Sequence, residues 1–508
     1  MKTIKIGIDL FSINYFLLYL YKNIMNRIQI ISILLISLGI IFIVLFYILP
    51  EDFIYQKDKL ICKDCNVILV TLNTVRADHL SCYGYFRNTT PNIDRLARES
   101  LLFKNAFSQS SHTTASVMSI FTSLYPHSHG MIISYENSLD IKIKTLAQIL
   151  EMNNYKTLWV NQLPTQIGPF NIDFGRGFEN FIDNKNIIYG LVNNSNWIEE
   201  NKNKKFFMFL SYSDAHSPYT PSIDTVLKFT NKTNEKIIFS NEKLWDIASS
   251  KIISNTSIVF KDQTIRENER IFNNKTLLRE LLPSLCQNQD YSIFHTPCGT
   301  IVDETFWENI NASNNSDVDY IKLLYDSKIY EIDREIERLV DTLKNEGLMN
   351  KTILIITADH GNEFMEHGNI GHGASLYDEV IHVPLIIWVP GIKGKEVSSL
   401  VQSIDIMPTI LDLIDINIPK QAQGVSLLPL IEGKSISLNE YVYGDTFQYL
   451  SSIRSNNWKY ITDLGDIEEL YNLKKDPMEK NNSINTEPKI AEQMKNKLEE
   501  HKLKNILK

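Results

Sequence analysis

Three separated stretches of the chain hold the residues best suited to chemistry. The first is Ser108-Gln-Ser-Ser-His-Thr-Thr-Ala-Ser116, a hydroxyl-rich run ahead of an apolar helical segment. Hydroxyls at a helix start suit a nucleophile, because the free backbone N–H groups and the helix dipole stabilise negative charge there. The same run also reads as an ordinary helix cap, in which Ser and Thr oxygens satisfy those N–H groups. The second stretch is Ala358-Asp-His-Gly-Asn-Glu-Phe-Met-Glu-His-Gly-Asn-Ile-Gly-His-Gly373. In it Asp359 and His360 set a carboxylate beside an imidazole, a donor pair for Zn²⁺, Mn²⁺ or a mixed N/O site. His367 and His372 follow in glycine-rich chain that lets imidazoles converge, although Asp and Gly also build plain turns. The third is Ser213-Asp-Ala-His-Ser-Pro-Tyr-Thr-Pro221, which contains His216.

Two of these stretches directly follow strand-like runs. Lys205–Tyr212 precedes His216, and Thr352–Thr357 precedes Asp359. A further buried-strand pattern, Asn66–Leu72, ends in the polar Asn73-Thr-Val-Arg-Ala-Asp78. Lys156–Val160 and Val383–Val389 complete the strand set. Helical spacing occupies Pro91–Ser100, Val117–Leu124 and Lys144–Asn153, and a long amphipathic run, Tyr320–Gly347, mixes opposite charges at i, i+4. This alternation predicts an α/β fold, a mostly parallel central sheet with helices on both faces. Such sheets offer ligands the ends of their strands. Residues 222–318 break the pattern and read as a long insertion. The C-terminal part reads as two helices or turns around Ile404–Ile414, a strand-like segment at Trp458-Lys459, and a polar, Lys-rich tail.

At 508 residues the chain exceeds one compact core. Its net charge of −9 gives no electrostatic footprint for nucleic acid. Ile28–Leu49 carries no charge and is long enough to span a bilayer as a helix. Lys2, Lys5, Lys22 and Arg27 precede it, and Glu51 and Asp52 follow. The positive-inside rule then puts residues 1–27 in the cytoplasm and everything after a 50–65 linker outside. A cleaved signal peptide is the rival, but no small-x-small site follows the run. Cys62 and Cys65, or Cys286 and Cys298, suit disulfides in an oxidising exterior.

The order of these blocks resembles the sulfatase branch of the alkaline phosphatase superfamily, over roughly Asn66 to Glu479. The resemblance is carried by NVILVTLNTVRADHLSCYGY, TTPNIDRLARES, TSLYPHSHG, LSYSDAHSPYTP and ITADHGNEFMEHGNIGHGASLYDEVIHVPLI. It continues in IDIMPTILDLIDINIPKQAQGVSLLPLIEG and ELYNLKKDPMEKNN. It implies an alkaline phosphatase-like catalytic domain at 66–400 and a smaller C-terminal subdomain with its tail at 401–508. Members place the nucleophile nine residues before the Thr of a Thr-Gly pair. Here that pair is Thr122-Ser123, which lands on Thr113.

Three departures shape the expected activity. True sulfatases carry a Cys or Ser in C/S-x-P-x-R that becomes formylglycine. This chain reads Thr113-Thr-Ala-Ser-Val117, so formylglycine is not expected. A Thr there resembles the lipoteichoic-acid synthase and phosphoethanolamine transferase branches, where a metal-activated Thr takes up a phosphoryl-bearing group. The Lys and His that hold sulfate in Gly-Lys-Trp-His give way to Asn161-Gln-Leu-Pro164. The acid that relatives carry after the first strand is Asn73.

The resemblance implies a divalent metal ion (Mn, Zn or Ca) on Asn73, Thr113, Asp359 and His360. It implies that His216 contacts the substrate's oxyanion, and that His372 completes a second metal position or acts as general acid. His127 and His129 carry no clear assignment, Arg76 and Asp78 fix their loop, and Glu363 and Glu366 are loop residues or supports for a histidine. The expected protein is a membrane-anchored enzyme cleaving or transferring a sulfate or phosphate ester through a covalent Thr113 intermediate, phospho-transfer favoured over sulfate hydrolysis, with a lipid head group or surface glycan as a natural partner. The alternatives are a sulfuric ester hydrolase without formylglycine and a degenerate binding or scaffold protein that lost an acidic ligand.

Overall fold

The computed structural model describes residues 14–15, 17–27, 32, 35–37, 39, 60, 62–132, 138–161, 174–183, 197–230, 306–307, 310–446, 450–463 and 465–506. The chain divides into two units, Met1–Leu60 and Ile61–Lys508. The described residues of the first unit that precede Leu60 are helical. Among the described residues no helix is long and apolar enough to cross a membrane. Most of the expected span Ile28–Leu49 lies outside them. So do Gln162 to Pro164, Cys286, Cys298 and residues 231–305 of the expected insertion.

The second unit is built on an eight-stranded sheet. Its strands are β1 (Asn66–Leu72), β2 (Leu101–Phe107), β3 (Lys156–Asn161), β4 (Asn180–Asp183), β5 (Phe206–Tyr212) and β6 (Thr352–Thr357). A separate hairpin of two two-residue strands, β7 (Glu363–Phe364) and β8 (Ile370–Gly371), comes before the last two strands of the large sheet, β9 (His382–Trp388) and β10 (Lys395–Gln402). The sheet order is β10-β2-β9-β6-β1-β5-β3-β4. β1 runs parallel to β5 and β6, its two neighbours at the centre. The apolar runs NVILVTL and FFMFLSY are buried at every position, so both faces of the sheet are covered. β9 alone runs antiparallel to its neighbours, β2 and β6.

Helices α1 (Pro91–Arg98), α2 (Thr113–Thr122), α3 (Leu146–Met152), α4 (Ile223–Phe229), α5 (Asn315–Asn345), α6 (Asp378–Ile381), α7 (Ile406–Leu413) and α8 (Pro488–Ile506) pack around this frame. α4 and the first turn of α5 lie inside the stretch expected to be an insertion, and α5 starts five residues before the Tyr320 expected from its periodicity. Asp333 of α5 caps α1, accepting from the backbone N–H of Asn92 and of Ile93. β10 spans the domain boundary expected at residue 400.

After β10 the chain builds a four-stranded antiparallel sheet from β11 (Val442–Asp445), β12 (Ser451–Arg454), β13 (Trp458–Thr462) and β14 (Glu468–Asn472). The Lys-rich tail is α8. Its Ala491, Met494 and Leu498 recur at helical spacing and pack on Ile453, Tyr460 and Leu470 of that sheet. Cys62 and Cys65 are joined by a disulfide, and Cys82 is free.

Candidate active site

The site begins where β1 and β6 end side by side. Asn73 follows β1, with its backbone N–H on the Tyr212 carbonyl at the end of β5. Thr74 comes next with φ of 62°, a left-handed conformation that β-branched residues rarely adopt. Three contacts hold it there. Its N–H donates to Asp359 Oδ1 (3.1 Å), its hydroxyl to the Ala215 carbonyl (2.9 Å), and its carbonyl accepts from Tyr325 (2.7 Å). Strain held by surrounding structure in this way is typical of functional sites. The bond from Thr74 to Asp359 ties the loop after β1 to the loop after β6.

Asp359 and His360 follow β6 and are buried. The Asp359 Oδ1 atom accepts from the N–H groups of Thr74 and His360. Its Oδ2 atom is buried without a hydrogen-bond partner, and so is Asn73 Oδ1. Two orphaned oxygens cost free energy unless a cation or water satisfies them. Gly361 then brings the chain hard against α6: a Cβ there would lie 2.2 Å from the Glu379 carbonyl oxygen. Only glycine permits that approach.

Thr113 opens α2, and its Oγ1 lies 3.1 Å from His360 Nε2. His360 Nδ1 sits 2.9 Å from the Gly361 carbonyl, which can only accept. Nδ1 therefore carries the proton, and in the neutral ring Nε2 accepts from the Thr113 hydroxyl. His216 shows the same arrangement, with Nδ1 donating to the Ser217 carbonyl at 3.0 Å. His372 Nδ1 lies 3.0 Å from Asn362 Oδ1. The Asn362 amide is oriented by its Nδ2, which donates to Tyr219 Oη and to the Glu363 carbonyl. His372 is thus also an Nδ1–H imidazole. Its ring lies 4.4 Å from that of His360 and edge-on to His216 at 4.9 Å. Burial, followed by the neighbouring His360, His216 and His112, pushes the His372 pKa well below its ordinary value. A neutral His372 accepts at Nε2, so in this state it lacks the proton that a general acid would donate.

Thr113, His360, Asp359, Asn73, His372 and His216 are therefore brought to one place. His127 and His129 are not part of it. His129 donates from Nε2 to Ser119 and accepts the Met131 N–H, and burial pushes it down to about 3. His127 pairs with Asp445. Arg76 binds Asp78, Glu366 and the Asn362 carbonyl, so it braces the loop. Asn362 was not singled out in the sequence. The one signal for it is its place directly behind Asp359-His360-Gly361.

The donor set fits the divalent ion that the fold implies. Asn73 Oδ1 and Asp359 Oδ2 are buried oxygens without partners, and His360 Nε2 and Thr113 Oγ1 already face each other.

Comparison with known proteins gives the same fold. A family model described as Sulfatase matches residues 65–416, and one described as N-sulphoglucosamine sulphohydrolase, C-terminal, matches residues 366–504. An arylsulfatase of Clostridium perfringens is 26% identical, covering 83% of this chain and 90% of that protein. An N-acetylglucosamine-6-O-sulfatase of Bacteroides thetaiotaomicron is 23% identical, covering 84% and 83%. Among solved structures, one in complex with its substrate D-glucosamine-2-N,6-O-disulfate aligns with a TM-score of 0.63 at 22% identity, covering 87% of this chain and 98% of that one. The phosphonate monoester hydrolase of Agrobacterium radiobacter aligns with a TM-score of 0.62 at 18% identity, covering 87% and 96%.

Proposed function

We infer the reaction from one premise: this chain belongs to the sulfatase family, and so is an enzyme acting on ester bonds. The reading is that it cleaves a phosphorus or sulfur ester through a covalent ester on Thr113, with phosphoryl chemistry favoured. The observation that carries it is the 3.1 Å approach of Thr113 Oγ1 to His360 Nε2 beside the orphaned Asp359 and Asn73 oxygens. Thr113 keeps a hydroxyl where formylglycine would need Cys or Ser, and Val117 stands where the sulfatase motif has Arg. Both points favour a phosphoryl over a sulfuryl group, and the phosphonate monoester hydrolase shares the fold.

Asn73, Thr113, Asp359 and His360 would hold a divalent ion. When bound, it lowers the hydroxyl pKa and offsets charge on the ester oxygens. The N-terminal turn of α2 adds its dipole at the nucleophile. As the Thr113 Oγ–P bond forms, the bond from phosphorus to the leaving oxygen breaks. With His360 Nε2, which accepts from Thr113 in the ion-free site, given over to the ion, His372 Nε2 beside it is the lone-pair acceptor that would take the Thr113 proton and return it to the leaving oxygen. Water then cleaves the Thr113 ester, and the proton returns by the same route. His216, edge-on to His372, would contact the substrate's oxyanion. Anchoring by Ile28–Leu49, with the N-terminus in the cytoplasm and the enzyme outside, would present a lipid head group or surface glycan as substrate.

The test uses the full chain with Mn²⁺ or Zn²⁺ and three aryl probes: bis(4-nitrophenyl) phosphate, 4-nitrophenyl phenylphosphonate and 4-nitrophenyl sulfate. Thr113→Ala should lower turnover by roughly a thousandfold or more. Intact mass spectrometry of the quenched wild type should show an adduct that maps to Thr113. Unchanged turnover in Thr113→Ala refutes the covalent route, and preference for the sulfate probe refutes the phosphoryl assignment.

A further inference from the structure

A second group of metal-capable side chains joins the strap between His360 and His372 to α6. Glu363 of β7, His367 and Glu379 of α6 each offer a donor atom, and these atoms lie within 4.8 Å of one another. Among the described residues this is the one such group of three or more His, Cys, Asp or Glu side chains. It shares no residue with the site around Thr113.

Proximity of acids is not itself a site, and two further observations bear on it. Glu363 is 1% exposed, and its Oε1 is buried with no hydrogen-bond partner, while Oε2 accepts from Ser375 at 2.8 Å. A buried carboxylate oxygen left bare is costly, and burial, with Glu379 adding to it, raises the Glu363 pKa. The second observation is the orientation of His367. Its Nε2 lies 2.9 Å from the Glu479 carbonyl oxygen, so Nε2 is the N–H and Nδ1 is the ligating nitrogen. Backbone carbonyls fix metal-binding imidazoles in this way. Tyr377 stacks on the ring at 3.6 Å and holds its plane. Nδ1 faces Glu379 Oε1 at 2.5 Å, a contact that requires one shared proton when no cation is present.

We propose that Glu363, His367 and Glu379 form a second divalent-cation site that pins the strap carrying His372. The cation takes the place of the proton between His367 and Glu379 and satisfies Glu363 Oε1. One imidazole and two carboxylates suit Zn²⁺ or Mn²⁺. They suit Ca²⁺ poorly, since it takes about six to eight oxygens. Backbone bonds from Gly361 to Val380 and from Asn362 to Glu379 already press the strap onto α6. A cation across Glu363 and Glu379 would lock that contact.

The proposal rests on the metal reading of the Thr113 site only for the expected stoichiometry, and the variants separate the two. The full chain is equilibrated with Zn²⁺ alone and desalted, and bound zinc is counted by elemental analysis. Wild type should hold two zinc ions per chain. Glu363→Gln and His367→Gln should each hold one, as should Asp359→Asn, and the Asp359→Asn/His367→Gln pair should hold none. Zinc should raise the melting temperature of Asp359→Asn but not of the double variant. Zinc content unchanged by both Glu363→Gln and His367→Gln, with native circular dichroism, overturns the proposal. Loss of zinc in those variants but not in Asp359→Asn upholds it, and overturns the metal reading at Thr113 instead.

Discussion

At the scale of single residues, the site depends on which nitrogen of each histidine carries a proton. His360, His372 and His216 all have Nδ1 tied to an oxygen acceptor, so each neutral ring accepts at Nε2. For His372 that acceptor is a side chain, Asn362, which can be removed without touching backbone. Asn362→Leu keeps the branched shape and deletes the acceptor, together with the Nδ2 donor, freeing His372 to take the other tautomer. On the proposed reaction, kcat should fall about tenfold to a hundredfold with KM nearly unchanged. The ¹⁵N shifts of the His372 imidazole should report the tautomer change. Asn362→Asp, which keeps an oxygen toward Nδ1, should restore most of the rate. Equal losses in both variants would reduce Asn362 to a packing residue.

At the scale of elements, two ion pairs on one carboxylate tie the loop after β1 to the β7–β8 hairpin and to α5. Arg76 follows β1, Glu366 lies between β7 and β8, and Lys322 comes from α5. Burial pushes Glu366 up, but Arg76 and then Lys322 outweigh it and hold its carboxylate down at about 2 from 4.5. A folded pKa below the unfolded one contributes stability that is present above the unfolded value and is lost as pH falls toward the folded value. The Glu366 contribution should therefore be full above about pH 5 and fade towards pH 2, with a ceiling of about 3 kcal/mol. Glu366→Gln should lower the denaturation midpoint at pH 7 and flatten its dependence between those limits. An acid limb identical to wild type in urea titrations would show that the ion cluster adds nothing net, as some buried pairs do.

At the scale of the whole molecule, the described Ile61–Lys508 unit joins two sheets through a shared core, in which Phe107 and Leu400 meet Val442, Ile461 and Tyr471, and the smaller sheet has a second core of its own. The second core depends on α8, whose Ala491, Met494 and Leu498 cover the β11–β14 sheet. The polarity of the tail hid this, because a helix that covers one sheet face needs only a narrow apolar stripe. The proposed anchor belongs to this scale too. The full chain should fractionate with membranes and resist extraction by carbonate but not by detergent, and deletion of residues 1–50 should release it. Recovery of the full chain in the soluble fraction would rule the anchor out.

The sequence by itself determined the central strands, their polar ends and the order of the blocks. β1, β5 and β6 appear as uninterrupted apolar runs because a strand covered on both faces buries every side chain. Thr113, Asp359 and His360 could be named because their motifs are local and in family order. Three things were decided only by the tertiary structure. One is the antiparallel β9, whose direction depends on the chain's path and not on its composition. Another is the link from Asn362 to His372, since a flexible glycine-rich strap does not state which of its residues face each other. The last is the Glu363–His367–Glu379 group, which requires α6 to return against the strap. Local propensity acts over a few residues, whereas Thr113 and His360 meet across 247 positions. Such contacts exist only once the sheet has set the path between them.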